Sequence, residues 1–178
     1  MADKLFFFLK SSFLVLLHAC LFTATHATLL ETECNKATDP EFCLNVFGSD
    51  PATRAASSLV GLAQIGIAKA TSQAEKTRAD INMRLFFSTE PKERDVLSQC
   101  VHVYNGALAA LKVAPFSLRR KLYSDLFLRA TMAQTAVTRC EKTYIENSLP
   151  CPFTRANVQL EDLCDIIKVV ANDLYVGG

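Results

Sequence analysis

Cysteine and histidine are the residues of this sequence whose chemistry could carry a function. The chain has seven cysteines and three histidines. Thiolate and imidazole groups bind zinc and take part in nucleophilic catalysis, but each use needs a particular arrangement. No Cys-x-x-Cys pair occurs, and His102 is the only histidine beyond residue 27. We therefore predict no metal site and no Cys-His or Ser-His-Asp catalytic residues. Disulfide formation is the predicted chemistry of the cysteines.

The N-terminal segment decides whether disulfides can form. Lys4 precedes a mostly apolar run, which ends in the small and polar stretch TATHA at residues 23–27. This order is typical of a secretory signal peptide. Lys10 and two serines interrupt the run, so about ten strongly apolar residues remain, whereas a membrane span needs roughly 20. We predict a signal peptide over residues 1–27, no membrane span, and a secreted chain that begins near Thr28.

The charge of the predicted mature chain excludes several classes of partner. Lys4, Lys10 and Asp3 fall within the signal peptide, so the 19 basic and 18 acidic residues of the whole sequence become 17 and 17. Nucleic-acid-binding and membrane-surface proteins usually carry a basic excess, and neither partner is predicted. No glycine-rich phosphate loop follows a predicted strand, and no cofactor is predicted. Residues 28–178 suit a single domain.

Most of the mature chain is predicted to be helical. Glycine is sparse, and apolar residues recur at helical rather than alternating spacing. Asp-Pro pairs at 39–40 and 50–51 are typical of an N-cap followed by proline at the first helical position. Pro115 is expected to break the chain between two helices. The predicted helices span residues 29–37, 40–47, 53–88, 91–113, 117–146 and 155–175.

These helices predict an all-α fold, an antiparallel four-helix bundle preceded by a short N-terminal helical hairpin. Each longer helix carries one apolar face, and the connections are short. The hairpin is assigned to residues 28–48 and the bundle to residues 53–175. Phe86 and Phe87 cannot both face one seam, because helical neighbours point about 100° apart. We expect one of them to pack under the hairpin, with a role in self-association as the alternative.

The helical arrangement favours two pairings among the six cysteines of the mature chain. Six cysteines can pair in 15 ways, which spacing alone does not resolve. Cys100 lies early in the second long helix and Cys140 late in the third, so an antiparallel arrangement places them side by side. Cys34 and Cys43 flank the Asp-Pro turn at 39–40, where two short helices can fold together. We predict Cys34–Cys43 and Cys100–Cys140 disulfides.

Cys151 and Cys164 remain outside these pairs. A bridge between them must reach from the proline loop at 149–154 to a position about 15 Å along the last helix, which requires the loop to fold back along that helix. A buried free thiol at Cys164 would instead pack as a small apolar residue. A third disulfide and two free thiols are both left open.

Four stretches of the mature chain share a pattern with known proteins. They are LLETECNKATDPEFC, GSDPATRA, LSQCVHVYNGALAAL and ATMAQTAVTRCEKTY. Together they resemble the plant invertase and pectin methylesterase inhibitor family, more closely its invertase-inhibitor and pollen-type members. The resemblance supports the two predicted disulfides, one in the hairpin and one in the bundle. It also implies stoichiometric inhibition of a carbohydrate enzyme of the cell wall or vacuole, and therefore an inhibitor rather than an enzyme.

The stretch PFSLRRKLYSDLF at residues 115–127 departs from ordinary helix patterning. It combines aromatic and basic side chains near a chain reversal, and such residues are frequent anchors of protein interfaces. The candidate target-binding residues are Phe116, Arg119, Arg120, Lys121 and Tyr123. The alternative is that Phe116 and Phe127 pack in the core and that the basic residues are merely solvated.

The predicted function is a secreted inhibitor that binds an invertase over its substrate cleft. Glycosidase sites hold paired carboxylates, which favour a cation. Some invertase inhibitors carry a Pro-Lys-Phe element, of which Lys121 and Tyr123 keep only a cation and an aromatic ring. Pectin methylesterase is the alternative target, and a non-inhibitory helical protein with an apolar ligand or a structural or pollen role is a further alternative. The apoplast or cell wall is favoured over the vacuole, and the oligomeric state is not predicted.

Overall fold

The computed structural model describes residues 29–56 and 58–177, and the predicted signal peptide lies outside them. The described residues form helices joined by turns, with no strand among them. The helices are α1, whose described part is residues 29–34, α2 (Pro40–Gly48), α3 (Pro51–Ala55), α4 (Leu59–Phe87), α5 (Pro91–Arg119), α6 (Tyr123–Glu146) and α7 (Thr154–Val176). In this part of the chain no helix combines the length and apolar character needed to cross a membrane.

Aspartate caps open two helices at the predicted Asp-Pro pairs. Asp39 accepts a hydrogen bond from a backbone N–H three residues later at 2.9 Å, and Asp50 accepts one from two residues later at 2.8 Å. Proline follows at the first helical position in both cases, where its missing N–H removes no helical hydrogen bond. The second pair opens only the short α3. The first long helix begins at Leu59, capped by Ser58, rather than at residue 53.

The prediction that Pro115 breaks the chain between two helices is wrong. Pro115 lies inside α5, which continues to Arg119. Proline removes one helical hydrogen bond and crowds the preceding turn. The turn that follows it buries Ser117 and Leu118, and this burial offsets the cost. The chain therefore reverses at residues 120–122, and the third long helix begins at Tyr123 rather than at residue 117.

The four long helices form a closed ring around one apolar core. α5 lies between α4 and α6, and α7 packs on both α6 and α4. Val60, at the start of α4, and Leu122, just before α6, are apolar but exposed and lie outside the buried seams. The buried seam residues are Ala63, Ile67, Ala70, Ala74 and Ile81 on α4, Leu97, Cys100, Tyr104, Ala107, Leu108 and Leu111 on α5, Leu126, Ala133, Val137 and Cys140 on α6, and Leu160, Leu163, Ile167 and Val170 on α7. The predicted four-helix bundle is confirmed.

Phe47 anchors the N-terminal hairpin on α4 and α7. Its side chain is fully buried. Gly66 on α4 allows the close approach, because a Cβ there would lie 3.1 Å from Ile167 Cγ1 and 3.6 Å from Phe47 Cζ. The prediction that Phe86 or Phe87 packs under the hairpin is wrong. These side chains are 80% and 74% exposed, and they lie about 30 Å from Gly66 along α4.

Two disulfides lie within the residues that the structure describes. Cys34 is joined to Cys43, with 5.4 Å between their Cα atoms, and Cys100 is joined to Cys140, with 4.8 Å between theirs. These are the pairs that the sequence analysis names. The first joins α1 to α2 within the hairpin, and the second joins α5 to α6.

Cys151 and Cys164 are free, which corrects the alternative of a third disulfide. The Cys151 sulfur lies 3.8 Å from Nδ2 of Asn157, near the start of α7. Cys164 lies seven residues farther along the same helix, which is about 10 Å, and it is buried in the core. The loop does not fold back along α7 far enough for the two sulfurs to meet.

Candidate target-binding surface

The turn between α5 and α6 places the predicted target-binding residues at one end of the bundle. The α5–α6 turn surface consists of Phe116, Arg119, Arg120, Lys121, Leu122 and Tyr123. Phe116 is 52% exposed, the basic residues and Leu122 are also exposed, and Tyr123 packs partly against the core. Phe127 is 43% exposed. The alternative in which Phe116 and Phe127 pack in the core is therefore wrong.

A left-handed residue fixes the backbone of this turn. Lys121 has a φ of 56°. The N–H of Leu122 donates to the carbonyl of Ser117 at 2.9 Å, and the N–H of Lys121 donates to the carbonyl of Leu118 at 3.0 Å. These two hydrogen bonds form a Schellman motif, which ends a helix and satisfies its last carbonyl groups. Lys121 occupies the position that glycine usually takes, so its exposed cation lies at the tip of the reversal.

Asp125 connects the two sides of the turn. Its Oδ2 accepts a hydrogen bond from the Ser117 hydroxyl at 2.5 Å, and the Arg129 guanidinium donates to Oδ1 at 3.0 Å and Oδ2 at 3.4 Å. The hydrogen bond from Ser117, and then that from Arg129, hold the pKa of Asp125 below its usual range. The sequence analysis missed this contact, although an acidic residue in a first helical turn with arginine four residues later is a usable signal.

A groove of about 410 Å³ borders the turn surface on its α4 side. Arg119 belongs to both the groove and the turn surface. The α4 wall contains small and polar residues, which have no distinctive sequence pattern, and the sequence analysis missed it. The groove is lined by Gln64, Ile67, Ala68, Thr71, Ser72, Glu75, Pro115, Leu118 and Arg119.

The turn surface carries uncompensated positive charge. Within residues 29–56 and 58–177, Arg119, Arg120 and Lys121 form no ion pair. Lys69, by contrast, lies 2.5 Å from a carboxylate oxygen of Asp50. A surface of one sign attracts a partner surface of the opposite sign and speeds association with it. The turn surface therefore suits an acidic protein partner.

His102 lies apart from the turn surface. It is exposed on α5, where Arg139 and Lys142 of α6 share with it a groove of about 580 Å³. Across the residues that the structure describes, no three His, Cys, Asp or Glu side chains are grouped so that they could hold a metal ion.

A buried polar chain, which the sequence analysis missed, joins α5, α6 and α7. Asn157 Oδ1 accepts from the Tyr104 hydroxyl at 2.6 Å, and Asn157 Nδ2 donates to Glu141 Oε2 at 2.7 Å. Thr154 Oγ1 donates to Glu141 Oε1 at 2.6 Å. Burial raises the pKa of the adjacent Cys151 thiol to about 11, which keeps it a poor nucleophile. These hydrogen bonds satisfy buried polar groups, and they supply no reactive centre.

The family described as "Plant invertase/pectin methylesterase inhibitor" matches residues 28–169. The chain belongs to this family. It is 31% identical over 145 residues to a protein named "Pectinesterase inhibitor" from Actinidia deliciosa, and the match covers 81% of this chain and 78% of that relative. At the level of the family, the resemblance predicted from the four sequence stretches is confirmed. Because the family consists of inhibitor proteins, this member is not an enzyme.

Crystal structures of pectin methylesterase inhibitors share the fold of this family member. One is mutant form A of an inhibitor from Arabidopsis, with a TM-score of 0.73 and 19% identity over 80% of this chain and 95% of that chain. Another is an inhibitor from Arabidopsis thaliana, with a TM-score of 0.62 and 20% identity over 83% of this chain and 96% of that chain. At these identities the similarity shows the fold alone.

Proposed function

We propose that the chain inhibits a pectin methylesterase by binding it stoichiometrically through the α5–α6 turn surface. The observation that carries the proposal is the 31% identity, over 81% of the chain, to a protein named as a pectinesterase inhibitor. Exposed aromatic side chains and unpaired cations on a hydrogen-bonded turn supply the anchors that protein interfaces use. Invertase, which the sequence analysis favours, becomes the second candidate target.

Invertase remains a candidate because of the residues at the tip of the turn. Lys121 and Tyr123 supply a cation and an aromatic ring where some invertase inhibitors of the family carry their Pro-Lys-Phe element. The Lys121 side chain is exposed and forms no ion pair within the described residues. A cation there is attracted by the paired carboxylates of a glycosidase cleft.

Titration of the mature chain against a purified plant pectin methylesterase and a purified plant invertase, at mildly acidic pH, tests both candidates. We expect pectin methylesterase activity to fall to its minimum near one equivalent of inhibitor, while invertase activity is retained. Loss of invertase activity alone would overturn the first candidate in favour of the second. Retention of both activities would overturn both and support the non-inhibitory alternative.

The assignment of the turn surface has its own test. The double variant Lys121→Ala, Tyr123→Ala should weaken inhibition about tenfold or more, which is about 1.4 kcal/mol of binding free energy. The matched control is Lys142→Ala, Tyr175→Ala, which removes an exposed lysine and an exposed tyrosine elsewhere on the protein. Equal inhibition by both double variants would refute the assignment while leaving the choice of target enzyme intact.

We also propose that residues 1–27 direct the chain into the secretory pathway and that it resides in the apoplast or cell wall. A fusion of the full chain to a fluorescent protein should remain outside the plasma membrane after plasmolysis. Vacuolar fluorescence would overturn the wall assignment, and cytosolic fluorescence would overturn the signal peptide.

A further inference from the structure

The polar contacts between the N-terminal hairpin and the bundle use carboxyl groups of α7. The backbone N–H of Thr38 donates to Asp165 Oδ2 at 2.7 Å. The Lys36 ammonium forms an ion pair with Asp173. Phe47 supplies the buried apolar anchor of the same contact. Part of the docking energy therefore depends on the protonation of carboxyl groups.

Glu33 of α1 is the most deeply buried carboxyl group at this contact. The residue is only 3% exposed. Its Oε1 accepts from Lys36 Nζ at 3.1 Å, while its Oε2 is buried and has no hydrogen-bond partner among the described residues. The same Lys36 ammonium forms ion pairs with Glu33 and with Asp173, so the two carboxyl groups share one cation. Two ionised carboxylates beside one ammonium group repel each other, whereas a proton on Glu33 removes that repulsion and leaves the Lys36–Asp173 ion pair balanced.

Further carboxyl groups crowd the same contact. Burial, and then charge repulsion from Asp39, the N-cap of α2, raises the pKa of Asp162 of α7. Asp165 repels Asp162 in the same way and forms an ion pair with Lys168. The carboxyl groups outnumber the ammonium groups, so full ionisation leaves an excess of negative charge between hairpin and bundle. The charged groups of the contact are Glu33, Asp39, Asp162, Asp165 and Asp173 with Lys36 and Lys168.

We propose that the contact between hairpin and α7 is a pH-sensitive clasp, in which protonated Glu33, buried beside the Lys36–Asp173 ion pair, lets the hairpin stay docked on the bundle. Ionisation of Glu33 places two carboxylates against one ammonium group and loosens the hairpin. The clasp concerns the docking of the hairpin alone, so it does not depend on which enzyme the protein inhibits.

The direction of the pH dependence follows from the carboxyl groups of Glu33 and Asp165. Burial chiefly raises the pKa of Glu33 above its ordinary 4.5, and neighbouring Asp173 adds to the rise while Lys36 opposes it. The contribution of Glu33 to hairpin docking is complete below pH 4.5 and is lost as the pH rises through this raised pKa. Burial opposes ionisation of Asp165, but Thr38 and Lys168 bring its pKa below the ordinary 3.8. The contribution of Asp165 to hairpin docking is complete above pH 3.8 and is lost in stronger acid. Together the two groups make docking tightest in mild acid and weaker toward neutrality.

The two disulfides allow this to be measured within one molecule. The sulfurs of Cys34–Cys43 and Cys100–Cys140 belong to buried residues, so a phosphine reductant reaches the first pair only when the hairpin undocks. Reduction of each pair in the folded mature chain is followed by alkylation and mass spectrometry. The rate for Cys34–Cys43 divided by the rate for Cys100–Cys140 gives a ratio in which the pH dependence of the reductant cancels. Between about pH 4.5 and about pH 7.5 we expect that ratio to rise about tenfold, because ionisation of Glu33 weakens the docking of the hairpin.

The variant Glu33→Gln keeps the shape of a protonated glutamate and cannot ionise. In this variant the ratio of the two reduction rates should stay within about twofold of the wild-type ratio at about pH 4.5, across the same pH range. The control Glu41→Gln removes an exposed carboxylate of α2 and should behave as the wild type. A wild-type ratio that does not change with pH, or an equal rise in Glu33→Gln, would overturn the clasp. Slow reduction of Cys100–Cys140 in every variant shows that the bundle is folded.

Discussion

The N-terminal hairpin and the four-helix bundle each contain one disulfide, yet different forces hold them in place. Every long helix of the bundle buries a continuous apolar seam. The hairpin is anchored on the bundle by the buried Phe47 side chain and by polar contacts to acidic residues of α7, while Leu30, Phe42 and Val46 pack partly against the core. A disulfide inside a small element determines its internal geometry but not its position on the rest of the protein. The bundle should therefore respond chiefly to changes in packing, and the hairpin to changes in both packing and charge.

Removal of the bundle disulfide should have the largest effect. The variant Cys100→Ala, Cys140→Ala should lower the free energy of unfolding of the bundle by about 4 kcal/mol, because the bridge closes a 40-residue span. Denaturant unfolding followed by circular dichroism measures the change. The matched variant Cys34→Ala, Cys43→Ala should lose about 2.6 kcal/mol within the hairpin and leave the bundle transition nearly unchanged. Equal shifts of the bundle transition in both variants would show that hairpin and bundle unfold as one unit.

Loss of the hairpin anchor should separate the two regions most clearly. Phe47→Ala removes a fully buried ring and should weaken hairpin docking by about 3 kcal/mol, while the bundle stays helical. Rapid reduction of Cys34–Cys43 with slow reduction of Cys100–Cys140 would report this state. Phe86→Ala, which removes an exposed ring, is the control and should change neither rate. Complete loss of helical signal in Phe47→Ala would contradict the separation.

The buried polar chain tests whether the bundle depends on apolar packing alone. Tyr104→Phe removes the hydroxyl that donates to Asn157 at 2.6 Å and leaves a buried amide oxygen without that donor. We expect a loss of about 2 kcal/mol in denaturant unfolding. Tyr175→Phe, at an exposed position, should have no effect. If Tyr104→Phe is equally harmless, the polar chain contributes nothing to bundle stability.

The smallest expected effect concerns the ends of the bundle helices. Lys121 and Ser148 both adopt positive φ, 56° and 55°, and glycine at either position should raise bundle stability by about 0.5 to 1 kcal/mol. Reduction of Cys34–Cys43 should not change in either variant. Lys121→Gly should weaken inhibition, because it removes the cation but keeps the turn, whereas Ser148→Gly should not. Weakened inhibition in both variants would point to turn rigidity rather than to the Lys121 side chain.

Features with short-range causes could be predicted from the sequence. Asp39 and Asp50 cap helices through hydrogen bonds to N–H groups two or three residues away, and such signals are local. The helix that contains Pro115 could not be predicted, because the destabilising effect of proline is a local property that the sequence shows. The burial that offsets this effect depends on packing, which the sequence does not show. The exposure of Phe116 and Phe127 at the candidate surface also depends on packing. The sequence therefore allows both an interface position and a core position for these two rings, and nothing in it favours one over the other.

The helical class, the order of the long helices, the two disulfide pairs and the family could all be predicted from the sequence. These follow from helical periodicity, proline and aspartate caps, and cysteines set at helix-compatible spacing, all of which act through neighbouring residues or within one helical pair. Packing between distant segments places Cys151 beside Asn157 rather than Cys164, and Glu33 beside the Lys36–Asp173 ion pair. Contacts between distant segments depend on how the helices pack, and the free energies of such packing are sums over the whole core.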